Sequence, residues 1–341
     1  MPRVRTINGK VVEVYTKKQV DDLVNGGVDP EPPPPDPDPE PPPPDPTPVV
    51  RFPGDPDAGM LYWGCTQDGN AEPKEHENAT GKVVGIRRTF YQWHHRAPGL
   101  WADRVLNEDV NSGRLSWVSF KTPPWAAVGA GEHDNEIDEL LQLLMSKPNP
   151  IWLTIYHEPE DNATALAGTT MSIDAWKTMQ KRIRMRMDAL GTSNVAFAPI
   201  FMAYTHNQTH DYPGIPGQDR SLDHWMKDMN CWDFIGFDHY NKNAADGTLV
   251  NDQWLGVMNY MASRDEPVAV GEWGTRTTGI PGAAQIRDWF DFGAQFAMEN
   301  SQRKIVGLCC YDTVQNGDWK LHAEKLTEFR KIMGEPEVAH L

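Results

Sequence analysis

Apolar residues along this chain follow two alternating patterns. From residue 60 onward there are eight short, nearly continuous apolar runs, at 60–65, 83–86, 115–120, 151–156, 195–199, 232–237, 267–271 and 305–311. Such runs fit strands buried on both faces, as in a parallel sheet. Between them the period becomes helical. Ile137, Leu140, Leu141 and Leu144 recur at i, i+3, i+4 and i+7. Trp176, Met179, Ile183, Met187 and Leu190 form a second stripe, with Ser172 placed as an N-cap and Gly191 just past the C-terminus. Further stripes are Trp254, Leu255, Met258 and Met261, then Ile286, Trp289, Phe290 and Phe296, then Leu326, Phe329 and Met333. Eight strands with intervening helices in about 290 residues predict an α/β fold, a (β/α)8 TIM barrel. The first crossover, 66–82, shows no helical stripe and is expected to lack a helix. A doubly wound open sheet is the alternative, but no GxGxxG follows the first strand.

Two other segments precede the barrel. Residues 1–28 hold a strand-like run at 10–15, and Thr16 is placed to cap a short helix closed by Gly26-Gly27. A piece this small cannot bury a core of its own, so it is expected to dock on a partner surface. Residues 30–48 contain prolines at most positions, interleaved with Glu31, Asp36, Asp38, Glu40 and Asp45. Proline fixes φ and removes the backbone donor, which leaves a stiff polyproline II rod of roughly 60 Å. The expected organisation is therefore an attachment segment at 1–28, an acidic Pro-rich linker at 29–56 and the barrel domain at 57–341.

Charge narrows the partners. The net charge of −16 argues against nucleic acid and against anionic lipid, both of which need a basic footprint. No apolar run reaches the roughly 18–20 residues of a bilayer span, so no membrane insertion is expected. The start of the chain carries no apolar h-region, so no signal peptide is expected and synthesis is placed in a cytoplasm. Cys65, Cys231, Cys309 and Cys310 show no zinc or CxxC spacing and read as buried free thiols.

In a (β/α)8 barrel the chemistry sits at the C-terminal strand ends. Strand 4 ends in Tyr156-His157-Glu158-Pro159-Glu160 and strand 7 in Gly271-Glu272-Trp273-Gly274. Strand 6 ends in Asp238-His239-Tyr240-Asn241, and strand 8 in Tyr311-Asp312. Strand 2 runs into Arg87, Arg88, Tyr91, Trp93, His94 and His95. Two glutamates facing each other across a barrel mouth suit glycosidic cleavage, in which one carboxylic acid protonates the leaving oxygen and the other attacks the anomeric carbon or activates water. Tyr91, Trp93, Trp125 and Trp273 offer rings for stacking on sugar faces, and Arg87 and Arg88 offer charge for an acidic sugar. His157-Glu158-Pro159 is not HExxH, and no metal or cofactor is expected.

His157-Glu158 on strand 4 and Gly271-Glu272 on strand 7 resemble the glycoside hydrolases of clan A, the 4/7 superfamily. A His before the strand-4 acid, together with Asp238-His239-Tyr240, is similar to family 26, the β-mannanase-like group. The resemblance implies that Glu158 is the acid/base, Glu272 the nucleophile and Tyr240 its hydrogen-bond partner. His157 would lie against sugar or nucleophile, and Asp238, Trp273, Trp93, Tyr311 and Arg88 would complete the substrate site. It also implies a retaining, endo-acting enzyme working through a covalent glycosyl-enzyme. Where that family presents a Trp on strand 8, this chain carries Tyr311. The order of attachment segment, proline stalk and barrel resembles the minor tail proteins of actinobacteriophages. That resemblance implies display on a virion, contact with other tail proteins through residues 1–28, and a bacterial cell-envelope polysaccharide as substrate. The alternatives are a non-catalytic glycan-binding tail protein on the same barrel and a purely structural tail component.

Overall fold

The computed structural model describes strands Arg3–Ile7 and Lys10–Val14, and residues 51–341 except 164–169, 208–210, 213–214, 220, 243–247, 265 and 298–303. For 207, 211–212 and 215–219 it describes backbone alone. The expected helix after Thr16 and the proline-rich segment lie outside the described residues. The chain divides into two compact units, Met1–Thr47 and Pro48–Leu341.

In the first unit the strand expected at 10–15 is Lys10–Val14. It pairs antiparallel with Arg3–Ile7, from Arg3 opposite Val14 to Ile7 opposite Lys10.

The second unit is the barrel. Its strands are β1 (Tyr62–Gln67), β2 (Ile86–Gln92), β3 (Leu115–Lys121), β4 (Ile151–Ile155), β5, β6 (Ile235–Asn241), β7 (Val268–Thr275) and β8 (Ile305–Asp312). Strand β5 comes in two pieces, Val195–Phe197 and Ile200–Met202. The first piece pairs with β4 and the second with β6, and every neighbour in the sheet is parallel. The break falls at Ala198-Pro199, where proline has no N–H to give a ladder. Ala198 N still donates to Leu153 O at 3.0 Å, and Pro199 O accepts from Gly236 N at 2.9 Å. The segment 195–202 therefore closes the circuit from β4 to β6, and β8 pairs with β1 on the far side.

Ten helices are described: α1 (Lys74–Thr80), α2 (Trp101–Ser112), α3 (Trp125–Ala130), α4 (Asp134–Met145), α5 (Pro159–Asn162), α6 (Ile173–Leu190), α7 (Leu222–Met226), α8 (Asp252–Met261), α9 (Gly279–Ala297) and α10 (Ala323–Ile332). The predicted stripes of α4, α6 and α9 are buried, apart from the half-buried Leu190 and Phe296. Ser172 caps α6 by accepting from Ala175 N at 3.2 Å, and Gly191 closes it at φ 66°. Leu255 leaves its expected stripe and is exposed, while Trp254, Met258 and Met261 are buried. Among the described residues no helix is long and apolar enough to cross a membrane.

The barrel interior is filled from below by Trp117, Trp152 and Phe234. The Trp117 and Trp152 rings lie 5.4 Å apart, and those of Trp152 and Phe234 4.5 Å apart. Glycine makes the room: a Cβ at Gly307 would sit 3.1 Å from the Trp152 ring. Residues 51–56, which composition assigns to the linker, pack at this end. Phe52 is buried against Trp152, Trp152 Nε1 donates to Pro53 O at 3.2 Å, and Lys304 Nζ meets Asp55 at 3.2 Å.

The first crossover does contain a helix, α1, contrary to expectation. It is short and charged, so it carries no apolar stripe. His76 is its buried anchor, its Nε2 3.0 Å from Asp312 Oδ2 at the end of β8. The same carboxylate accepts from Gln67 Nε2 at 2.5 Å and from Leu321 N at 2.8 Å. Burial opposes the charge on His76, but Asp312 overrides it and holds the imidazolium up to about pH 10, while Asp312 itself is held below its usual range. The pair should therefore contribute its full stability below about pH 6.5 and lose it as pH rises through about 10. Asp312 adds the mirror dependence, its share fading as pH falls below the ordinary carboxylate range. His76→Gln is expected to cost on the order of 3 kcal/mol in urea unfolding at pH 6. The cost should shrink markedly toward pH 10.

Candidate active site

The site opens at the C-terminal ends of the strands. A strand alternates its side chains between faces, so within β7 the buried Glu272 points into the barrel and the next residue, Trp273, points out. Within β6, Asp238 and Tyr240 share the inward face while His239 turns outward to donor range of Leu249 O at 2.8 Å. Strand β4 ends before Tyr156, where the backbone leaves the sheet. Tyr156 (φ 61°) and Glu158 (φ 49°, ψ 54°) are both left-handed. For residues other than glycine this costs on the order of 1–3 kcal/mol each, and such strain collects at functional sites. Two backbone bonds hold the excursion: Tyr156 N donates to Phe120 O and Glu158 N to Ile200 O, each at 2.9 Å.

This brings the two glutamates together. Glu158, Asp238 and Glu272 each place a carboxylate oxygen within 4.8 Å of the others. Tyr240 donates its hydroxyl to Glu272 Oε2 at 2.5 Å. Ser119 Oγ bonds His157 Nδ1 at 2.9 Å, and burial pushes the His157 ring well below the ordinary histidine range, so it is neutral. Arg88 is fully buried in the barrel, its guanidinium 4.5 Å from the Phe90 centroid and 5.2 Å from that of Trp117.

Electrostatics separate the two glutamates. Burial, and then the charges of Glu272, Glu160 and Asp161, push Glu158 up to about 8 against the pull of Lys121. Burial also raises Glu272, but the Arg88 charge, the Tyr240 hydroxyl and Lys121 oppose it. Burial, Glu272 and Glu158 hold Asp238 well above the carboxylate range. The three carboxylates are compact enough for a divalent ion, but Arg88 and Lys121 already supply positive charge there, and we assign no metal role to them.

A cavity of about 360 Å³ lies over this group, within the usual size range of small-ligand pockets. His157, Glu158 and Glu272 line it on one side, with Tyr311, Thr313, Gln315 and Asn316 from β8 and the loop beyond. Thr66, Gln67 and Asn70 come from β1 and its turn, Phe90, Tyr91 and Gln92 from β2, His95 from the turn after it, and Lys121 from β3.

Of the residues expected at the site, Glu158, Glu272, His157, Tyr240, Asp238, Arg88 and Tyr311 converge. Trp273 and Trp93 do not reach the cavity. Trp273 is fully buried behind β7, its ring 5.2 Å from Trp63, because it takes the outward parity next to Glu272. Trp93 is buried and donates to Glu136 Oε2 of α4 at 2.8 Å. Trp125 is likewise buried, edge-on to Tyr156 at 4.9 Å. Arg87 faces away from the barrel axis, to Asp109 at 2.9 Å and Glu108 at 3.0 Å. Arg88 and Asp238 lie beneath the cavity with no exposed surface, so they act on the carboxylate pair and do not meet a ligand directly. Sequence reasoning missed Gln67 and Lys121. Both end barrel strands, so reading the ends of strands 1 and 3 as well would have found them.

No family model matches this sequence, and no curated protein does. Solved structures match in fold. The family 26 domain of the Prevotella bryantii endo-β-mannanase/endo-β-glucanase aligns at TM-score 0.51 and 14% identity, over 85% of this chain and 98% of that one. A family 26 β-mannanase from Bacteroides ovatus aligns at 0.55 and 11%, over 83% and 90%. A family 26 protein from a Muricauda species aligns at 0.55 and 14%, over 83% and 88%. The barrel is the one these clan A glycoside hydrolases share.

Tyr240 is the one hydroxyl that donates to Glu272 among the described residues. Removing it should raise the Glu272 pKa, since a donor to the ionised form lowers it. Tyr240→Phe is expected to move the Glu272 midpoint up in a carbon-13 titration of glutamate carboxyls, with Glu272→Gln identifying the signal.

Proposed function

We propose that this chain is a retaining glycoside hydrolase acting on a polysaccharide of a bacterial cell envelope. The observation that carries the reading is the convergence of Glu158 and Glu272, whose oxygens lie within 4.8 Å over a cavity. Retaining enzymes hold their carboxyl groups about 5–5.5 Å apart, whereas inverting ones leave room for a water at roughly 6.5–9.5 Å.

The roles follow from the environments. Glu158, raised to about 8, is protonated at neutral pH and gives its proton to the leaving glycosidic oxygen. Glu272, supported in its ionised form by Arg88 and Tyr240, attacks the anomeric carbon. The C–O bond to the leaving group breaks as the bond to the Glu272 carboxylate forms. That ester removes the Glu272 charge, the largest charge raising Glu158, so Glu158 now ionises more readily. It then takes a proton from water, and hydroxide attack on the anomeric carbon releases Glu272. The mannanase activity of the structural neighbours supports a β-linked glycan backbone.

The hairpin of residues 3–14 and the acidic proline-rich segment support a second element of the reading. The barrel is tethered to a bacteriophage tail as a minor tail protein, docking on other tail proteins through residues 1–28 after synthesis in the host cytoplasm.

Glu158→Gln and Glu272→Gln should each lower reducing-end release from a cleaved envelope polysaccharide by on the order of 10³-fold, with melting unchanged. The wild-type rate should fall as pH rises through about 8, where Glu158 loses the proton it must donate. Full activity in either variant refutes the roles. Binding of intact glycan without release by the wild-type protein replaces hydrolysis with adhesion. Immunogold against the barrel should decorate the tails of purified virions; bare virions would end the tail assignment.

A further inference from the structure

The segment 156–162 carries the strained backbone that presents Glu158, and a third strand reaches it from the side. Lys121, the last residue of β3, donates its ammonium to the His157 carbonyl at 3.2 Å and to Asn162 Oδ1 at 3.0 Å. Its Nζ also lies 4.5 Å from the centroid of the Tyr156 ring. One cation thus touches left-handed Tyr156, His157 between it and Glu158, and Asn162, the last residue of α5. Tyr156 N is bonded to Phe120 O of the same strand β3, so β3 grips the excursion by both backbone and side chain.

We infer that Lys121 is a positioning residue for Glu158, clamping the left-handed turn that presents it and setting the charge balance of the carboxylate pair. As a positioning role in catalysis this rests on the reading of Glu158 as the acid/base.

The charge balance around Glu158 is uneven. Acids face it from α5 (Glu160 and Asp161), from β6 (Asp238) and from β7 (Glu272). The cations that oppose them are Arg88 from β2 and Lys121 from β3. The remaining titratable neighbours are the phenols Tyr204, Tyr240 and Tyr311 and the neutral ring of His157, none of which supplies positive charge. Arg88 is sealed inside the barrel beside Asp238 and Glu272, whereas Lys121 lines the cavity. Lys121 is therefore the cation on the cavity side of the pair. It has no carboxylate within ion-pair distance among the described residues, so its charge acts on the whole acidic group and is not cancelled by one partner.

The test needs no glycan, so it stands apart from the fate of the hydrolase reading. The full-length chain is labelled with carboxyl carbon-13 glutamate, and Glu158→Gln identifies the Glu158 signal. Lys121→Met removes donor and charge, Lys121→Gln keeps a donor without charge, and Lys121→Arg keeps the charge. The Glu158 midpoint is expected to rise by on the order of one pH unit in Lys121→Met and Lys121→Gln. It should stay near the wild-type value in Lys121→Arg. Amide exchange at Glu158, whose N–H is bonded to Ile200 O, should quicken more in Lys121→Met than in Lys121→Gln. If Lys121→Met does not fold, the Lys121→Gln and Lys121→Arg pair carries the comparison. A midpoint unmoved by loss of the charge overturns the inference, as does an equal shift in Lys121→Arg.

Discussion

Two carboxyl groups whose charges would repel each other are held within 4.8 Å, Glu272 buried and Glu158 half-buried at the cavity wall. That constraint organises the upper half of the barrel. Burial alone would keep both protonated, and equal environments would make them interchangeable. Arg88 below and the Tyr240 hydroxyl against Glu272 break the symmetry, while Lys121 pulls on both. One carboxyl is left as a proton donor and the other is supported as an anion. Such separation of two like groups by environment is what the proposed acid and nucleophile roles require.

The scaffold achieves this by dividing the barrel interior into two layers. Trp117, Trp152 and Phe234 fill the N-terminal layer with apolar volume. The C-terminal layer is given over to Arg88, Asp238, Glu272 and Tyr240. The Arg88 guanidinium lies over the Trp117 ring of the lower layer and against the Phe90 ring at the cavity wall. The polar layer is thereby placed on a rigid floor, which is what a preorganised site requires. The cost is taken at the end of β4, where two residues other than glycine hold left-handed backbone.

Much of the fold was legible in the chain. Every barrel strand was found, as were the stripes of the longer helices and the cap at Ser172, because burial on one or both faces leaves a local periodic trace. Several strands run past the ends read for them. Strand β2 was read at 83–86 and runs to Gln92; β6 was read as ending at 237 and runs to Asn241; β7 was read as ending at 271 and runs to Thr275. In each case the strand continues through inward polar residues, which look like loop when hydropathy is the guide. Helix α1 was missed for the same reason in reverse, since its anchor is a buried ion pair rather than an apolar stripe.

The sequence by itself determined the alternation of strand and helix, the polar rim at the strand ends and the presence of glutamates on strands 4 and 7. These are properties of short stretches, and short stretches carry them. Only the tertiary structure decided that Trp273 turns outward while Glu272 turns in, that Trp93 bonds to Glu136 of α4, that β5 breaks at Pro199 to close the barrel, and that Lys121 grips the turn bearing Glu158. Each of these depends on strand parity or on contact between residues far apart in the chain, and neither is set until the sheet has closed and fixed its register.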